Sequence, residues 1–297
     1  MNRWITYQKE RFPLLAHGPL IAAFSACAVA FSSMLRGSPA PGWQSYLTAF
    51  GVCLLMFLQL RIADEFKDAG EDARWRPYRP VPRGLVKLSE LRVMFIIAAV
   101  MQIALVLAHD IHLMIVLAVA WTYLTLMSVE FFCRDWLKAR PVVYLLTHMG
   151  IMPLVDFFGT ACEWLPQSSS PPSGLGWFLA ASFFNGIVIE IGRKLRQPCD
   201  EEEGVETYSR LWGKSGGAAV WLAALLTTLG CAAMAATRIG FARPLMLGLG
   251  TILAIVILLL PRYIRGHLPG KRIESITGLW TLTLYLLLGV VPLCLRG

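Results

Sequence analysis

Charge is scarce in this sequence. Lys, Arg, Asp and Glu together make up 15% of its 297 residues, against about 25% in a soluble globular domain. That is too few to cover the surface of a water-soluble fold of this size. The seven cysteines match neither a disulfide framework nor a zinc site. Most lie within or near apolar runs, so they read as packing residues. Strict alternation of apolar and polar residues is also missing, which removes a closed membrane barrel and leaves helices. The first apolar run follows the mixed-charge stretch Lys9-Glu10-Arg11 and precedes eight more, unlike a cleavable signal peptide.

What the chain has is apolar length. Hydrophobic residues make up 56% of it, and its mean hydropathy is +0.59. Crossing a bilayer core takes roughly 20 apolar residues in a helix. Nine segments qualify, at about 14–35, 43–63, 91–108, 111–130, 141–161, 175–195, 217–237, 244–264 and 276–295. The expected fold is therefore all-α, a single polytopic membrane domain over 1–297. Only His109 and Asp110 separate the third and fourth segments, which predicts a tight helical hairpin.

Lys and Arg placement sets the orientation. Arg3, Lys9 and Arg11 precede the first segment. Every second connection after that is basic, including Lys67 to Lys87, Arg134 to Arg140, Arg193 to Lys214 and Arg262 to Arg272. The other face carries only Arg36, Arg238, Arg243 and Arg296. This predicts a multi-pass protein with a cytoplasmic N-terminus, in the inner membrane if the source is bacterial. The net charge of +8 then follows from topology and requires no nucleic acid.

Two connections on the basic face, at about 64–90 and 190–215, also hold most of the acid. In the first, Asp64, Asp68 and Asp72 are four apart, which stacks three carboxylates along one helical face. Like charges so placed repel, and a divalent cation reverses that cost. Hard oxygen ligands suit Mg²⁺, which favours sites shared with substrate phosphates. The second connection, Glu190 to Gly204, mixes carboxylates with Arg193, Lys194 and Arg196. Carboxylates for metal beside Arg and Lys for phosphate oxygens are what a diphosphate site needs. The plain alternative is a pair of solvated loops whose bases only obey topology.

These motifs resemble the UbiA superfamily of intramembrane prenyltransferases. Asp64-Glu65-x-x-Asp68-x-x-x-Asp72 is similar to its N-D-x-x-D-x-x-x-D pattern, with Asp64 where the family usually has Asn. Arg79-Pro80-Val81-Pro82-Arg83-Gly84 resembles its R-P-x-P-x-G segment. Asp200 to Gly204 is similar to the D-x-x-x-G that ends its second acidic motif, and Glu190 and Arg193 look like the E-x-x-R of menaquinone-type members. Arg196 stands where a second aspartate usually precedes Asp200, which leaves Glu190 or Glu201 as the partner carboxylate.

The resemblance implies nine helices and a Mg²⁺-dependent transfer from a polyprenyl diphosphate donor to an aromatic or lipid acceptor. It implies one metal on Asp64, Asp68 and Asp72 and another on Asp200 with Glu190 or Glu201. Asp68, Asp72 and Asp200 would be the catalytic carboxylates. Lys67, Arg79, Arg193 and Lys194 would hold the diphosphate.

Polar residues inside spans add candidates for the cavity. Asn185 lies five residues before Glu190. His148 and Asp156, eight apart in the fifth segment, are expected near one face, where they would bind an acceptor hydroxyl or take its proton. The plain reading of all three is helix–helix hydrogen bonding. Trp121 and Tyr123 are candidates for lining a carbocation cavity, or for ordinary packing. Glu130 reads as a solvated helix end. Two rival functions stand beside prenyl transfer. One is a terpene cyclase on the same scaffold, which an aromatic cavity would favour. The other is a lipid transporter, which midplane charges and inverted repeats would favour.

Overall fold

The computed structural model describes residues 2–296, and those residues form helices joined by short connections. Helix α1 (Arg3–Arg11) is capped by the Asn2 side chain, which accepts from the Trp4 N–H at 2.9 Å. It is followed by α2 (Leu14–Arg36), α3 (Trp43–Lys67), the short α4 (Ala69–Trp75), α5 (Leu88–His109) and α6 (Leu113–Ser128). A five-residue α7 (Arg134–Lys138) leads into α8 (Pro141–Met149) and α9 (Ile151–Trp164), two halves of one span. The remaining elements are α10 (Leu175–Gly192), α11 (Tyr208–Arg238), α12 (Ala242–Ile264), α13 (Gly270–Tyr285) and α14 (Val291–Arg296). A π-helical turn, Leu286–Val290, joins the last two.

Eight of these spans are long and apolar enough to cross a bilayer, and the shorter α6 is the ninth apolar helix. The protein is an integral, multi-pass helical bundle. Helices suit this setting because each satisfies its own backbone hydrogen bonds where no water is available. The bundle turns large apolar side chains outward. Leu15, Ile115 and Leu258 are 95%, 70% and 75% exposed, as a lipid-facing surface allows and a water-facing one does not.

The expected hairpin between α5 and α6 is present. Asp110 closes it by accepting from the His112 N–H at 2.7 Å. The seventh segment differs from expectation by starting earlier, at Tyr208. Gly213, at φ +70°, then breaks the helical path before the apolar run begins.

The connections that gather on one face carry the basic residues, α1, α4 and α7. Inside the bundle, α2 packs on α3 and α9, and α10 packs on α9, α11 and α13. Cys27, Cys53 and Cys162 are buried in this core, as packing residues would be, whereas Cys199 and Cys294 are exposed.

Candidate active site

The first acidic segment is almost a continuation of α3. The Asp68 N–H donates to the Asp64 carbonyl at 2.9 Å, and the Asp72 N–H donates to the Asp68 carbonyl at 2.8 Å. Helical backbone bonds therefore link all three residues on successive turns. Their environments differ. Asp64 pairs with Arg61 and Lys67, each at 3.6 Å. Asp72 is buried between Arg76 and Arg79, both at 2.7 Å, so it anchors two guanidinium groups. Asp68 makes no ion pair or side-chain hydrogen bond among the described residues. Burial pushes its carboxyl above the usual aspartate range; Lys67 opposes the shift, and the charges of Asp64, Asp72 and Glu71 add to it.

This segment is held from outside at three points. Glu65, inside the motif, is buried in an ion pair with Arg11 of α1. Helix α1 is fixed further by Arg3 on Glu90 at 2.6 Å and Glu10 on Arg83 at 2.9 Å. Its Tyr7 packs into a small cluster with Ile62, Val86 and Leu91. From α7, Lys138 hydrogen-bonds Glu71 and Arg134 approaches it at 3.6 Å. The Lys138 hydrogen bond is the main cause holding Glu71 below the usual glutamate range. A recess of about 460 Å³ beside α1 is lined by Arg11, Arg79 and Arg83, each already paired with a carboxylate.

The second acidic segment is irregular. Glu190, at the end of α10, binds Arg193 at 2.5 Å and Lys194 at 2.9 Å. Arg193 is held above its usual range foremost by Glu190, with the Asp64 charge of the other segment adding to it. Asp200 is exposed, and its backbone carbonyl accepts from Arg196 at 3.2 Å. Glu201 accepts from the Thr207 hydroxyl at 2.6 Å.

Two contacts tie the segments together. The Tyr78 hydroxyl donates to Glu202 at 2.7 Å. Gly204 has φ +71° and lies against the Trp75 ring, where a Cβ would collide, so the glycine that ends the second motif is required twice over.

Three intramembrane candidates separate into two networks. Asn185 accepts from Thr281 at 3.3 Å, and Asp156 accepts from Tyr285 at 3.3 Å; both are fully buried. His148 belongs elsewhere. Its Nε2 stands 3.3 Å from Glu130, and its ring stacks on Tyr144 with centroids 3.8 Å apart. Gly150 divides α8 from α9, and His148 and Asp156 on either side of it meet different partners. A Cβ at Gly150 would strike Tyr123, whose hydroxyl donates to the Thr147 carbonyl at 2.6 Å. Trp121 donates to Gln102 at 3.0 Å and borders a recess with Thr122 and Thr125.

Two further residues enter the site, Arg61, which sequence reading passed over, and Glu130, which it read as a solvated helix end. Arg61 lies one turn before Asp64; a cation inside an apolar run was the available signal. Glu130 is 3% exposed rather than solvated. It accepts from Tyr144 at 3.1 Å and lies 3.7 Å from Lys67. Glu130, Phe131 and Phe132 form a left-handed turn with φ of 52°, 51° and 59°. That conformation costs about 1–2 kcal/mol per residue outside glycine.

The donor set fits a hard cation such as Mg²⁺. Among the described residues, no three His, Cys, Asp or Glu side chains are gathered closely enough to hold a metal alone. Mg²⁺ typically uses one or two carboxylates and completes its shell with water and substrate phosphate. The unpartnered Asp68, raised foremost by burial and further by its like-charged neighbours, matches that mode.

The family model described as the UbiA prenyltransferase family matches residues 23–276. A UbiA homolog from Aeropyrum pernix K1, solved in its apo form, aligns with a TM-score of 0.71 at 13% identity, covering 93% of this chain and 97% of that one. A digeranylgeranylglyceryl phosphate synthase structure aligns at 0.54 and 17% identity, covering 96% and 98%. At these identities the two likenesses bear on fold alone. A search of curated protein sequences gives no match.

Proposed function

Because this chain belongs to the UbiA prenyltransferase family, we propose that it ionises a polyprenyl diphosphate and transfers the prenyl group to an aromatic or lipid acceptor. The observation that carries this reading is Asp68, a partly buried carboxylate without a cation partner, set among cations suited to phosphate oxygens. Asp64, Asp68 and Asp72 would hold one Mg²⁺, and Asp200 with Glu190 or Glu201 would hold a second. Bound Mg²⁺ supplies Lewis-acid neutralisation of the charge that builds on the leaving diphosphate.

The chain's own residues do the rest. Arg61, Lys67, Arg193 and Lys194 surround Asp64 and Glu190 and would bind the diphosphate oxygens, adding fixed positive charge where negative charge develops. To ligate directly, Asp72 has to release Arg76 or Arg79, which frees Arg79 for phosphate. The apolar bundle below holds the isoprenoid tail and keeps water from the allylic cation. In this reading the basic face is cytoplasmic.

The test is diphosphate release from farnesyl or geranylgeranyl diphosphate in detergent, with Mg²⁺ or chelator, for the wild-type protein and Asp68→Asn. Release that needs both Mg²⁺ and Asp68 supports the reading. Folded protein that releases nothing from either donor counts against it. A hydrocarbon or terpene alcohol in place of an acceptor adduct would reassign the chain to cyclisation.

A further inference from the structure

Donor ionisation accounts for the acidic segments but gives no role to the buried network around Glu130. Lys67 donates to the Tyr144 hydroxyl at 3.0 Å, and that hydroxyl donates to Glu130 Oε1 at 3.1 Å. His148 turns its Nδ1 to the Tyr144 carbonyl at 2.9 Å, leaving Nε2 against Glu130 Oε2. A half-buried phenol therefore stands between the cation beside Asp64 and a buried carboxylate. The left-handed turn exists at the residues that aim this carboxylate inward, and strain of that kind collects at functional sites. Glu130 is ionised at neutral pH. Burial raises its pKa, but His148, Lys67 and Tyr144 outweigh burial and hold it below the usual range.

We propose that Tyr144 and Glu130 form a proton relay that takes up the proton released when the allylic carbon bonds to the acceptor. The inference rests on the prenyl-transfer reading above. The donor's C1–O bond breaks, and its electron pair leaves with the diphosphate. C1 then bonds to an acceptor oxygen or ring carbon, and that atom's proton becomes strongly acidic. It passes to the Tyr144 oxygen as the Tyr144 hydroxyl proton moves to Glu130 Oε1. Glu130 ends as the neutral acid and passes its proton back through Tyr144 to water once the product has left. One lone pair of the phenol is engaged by Lys67, and the other is free to receive the proton. Lys67 is a positioning residue for this step.

The test compares wild-type protein, Tyr144→Phe and Glu130→Gln. Each is supplied with geranylgeranyl diphosphate, Mg²⁺, 4-hydroxybenzoate and a lipid extract, and its folding is monitored by thermal unfolding in detergent. The readout is acceptor adduct formed per diphosphate released. We expect that ratio to fall about 10²-fold in both variants, within the range of positioned proton transfer, with the balance leaving as prenyl alcohol. Should Glu130→Gln unfold, the isosteric Tyr144→Phe decides alone. An unchanged ratio, with release and adduct falling together, overturns the relay and makes the network structural. Wild-type protein that releases diphosphate but forms no adduct overturns the relay while sparing donor ionisation. No release from wild-type protein overturns the underlying reading and the relay with it.

Discussion

The two acidic segments sit at the same site but are built in opposite ways. The first continues a helix, so the spacing of Asp64, Asp68 and Asp72 becomes geometry directly. It is braced by α1 through Arg11 on Glu65 and by α7 through Lys138 on Glu71. The second leaves its helix at Gly192 and holds Glu190 and Glu201 by local partners, Arg193 with Lys194 and Thr207, while Glu202 accepts from the distant Tyr78. A braced segment presents a fixed donor array. An irregular one positions its groups only while its partners stay in place, as a segment that closes over a ligand must.

That contrast can be broken from its strongest element downward. Replacing Arg11 with Ala strands Glu65, which is 1% exposed. Removing one partner of a buried pair costs about 3–5 kcal/mol. The thermal unfolding midpoint in detergent should drop sharply, and Mg²⁺-dependent diphosphate release should drop with it. An unchanged midpoint would mean that α1 is not a brace.

Asp68→Asn keeps the shape and removes the charge. Diphosphate release should fall about 10²–10³-fold, the usual cost of losing one preorganised electrostatic group, with little change in unfolding temperature. Asp200→Asn in the exposed segment should cost less, about tenfold, or 1.4 kcal/mol. Equal losses at the two aspartates would erase the distinction between the segments.

The smallest effect concerns the tie between them. Tyr78→Phe removes one hydrogen bond to Glu202, worth about 1 kcal/mol. It should raise the Mg²⁺ concentration needed for half-maximal release more than it lowers the maximal rate. The same tie carries a pH signature. The Tyr78 hydrogen bond is the main cause holding Glu202 below its ordinary value of 4.5. Its contribution is therefore complete above that value and disappears as pH falls through the lowered pKa. Limited proteolysis of the second segment should accelerate in wild-type protein on acidification below about pH 4.5 and show no such step in Tyr78→Phe.

Much of this was legible from residue order. Charge scarcity and runs of about 20 apolar residues determined the membrane class and, among the described residues, the eight long apolar spans with the shorter α6, because a bilayer imposes a length and forbids unpaired backbone. The alternation of Lys and Arg among connections marked one basic face, and a four-residue spacing placed Asp64, Asp68 and Asp72 on successive helical turns. These are local rules, each read within a few turns of chain. What the tertiary structure decided lies between residues far apart in sequence. Arg11 meets Glu65, Lys67 meets Tyr144 and Tyr78 meets Glu202 across separations of 54, 77 and 124 residues. Asp156 and His148, close in sequence, meet different partners, Tyr285 and Glu130. Glu130 turned inward through a left-handed turn that no local preference selects. In each case the contact outweighs the propensity of the segments that make it, and only the packed bundle supplies the contact.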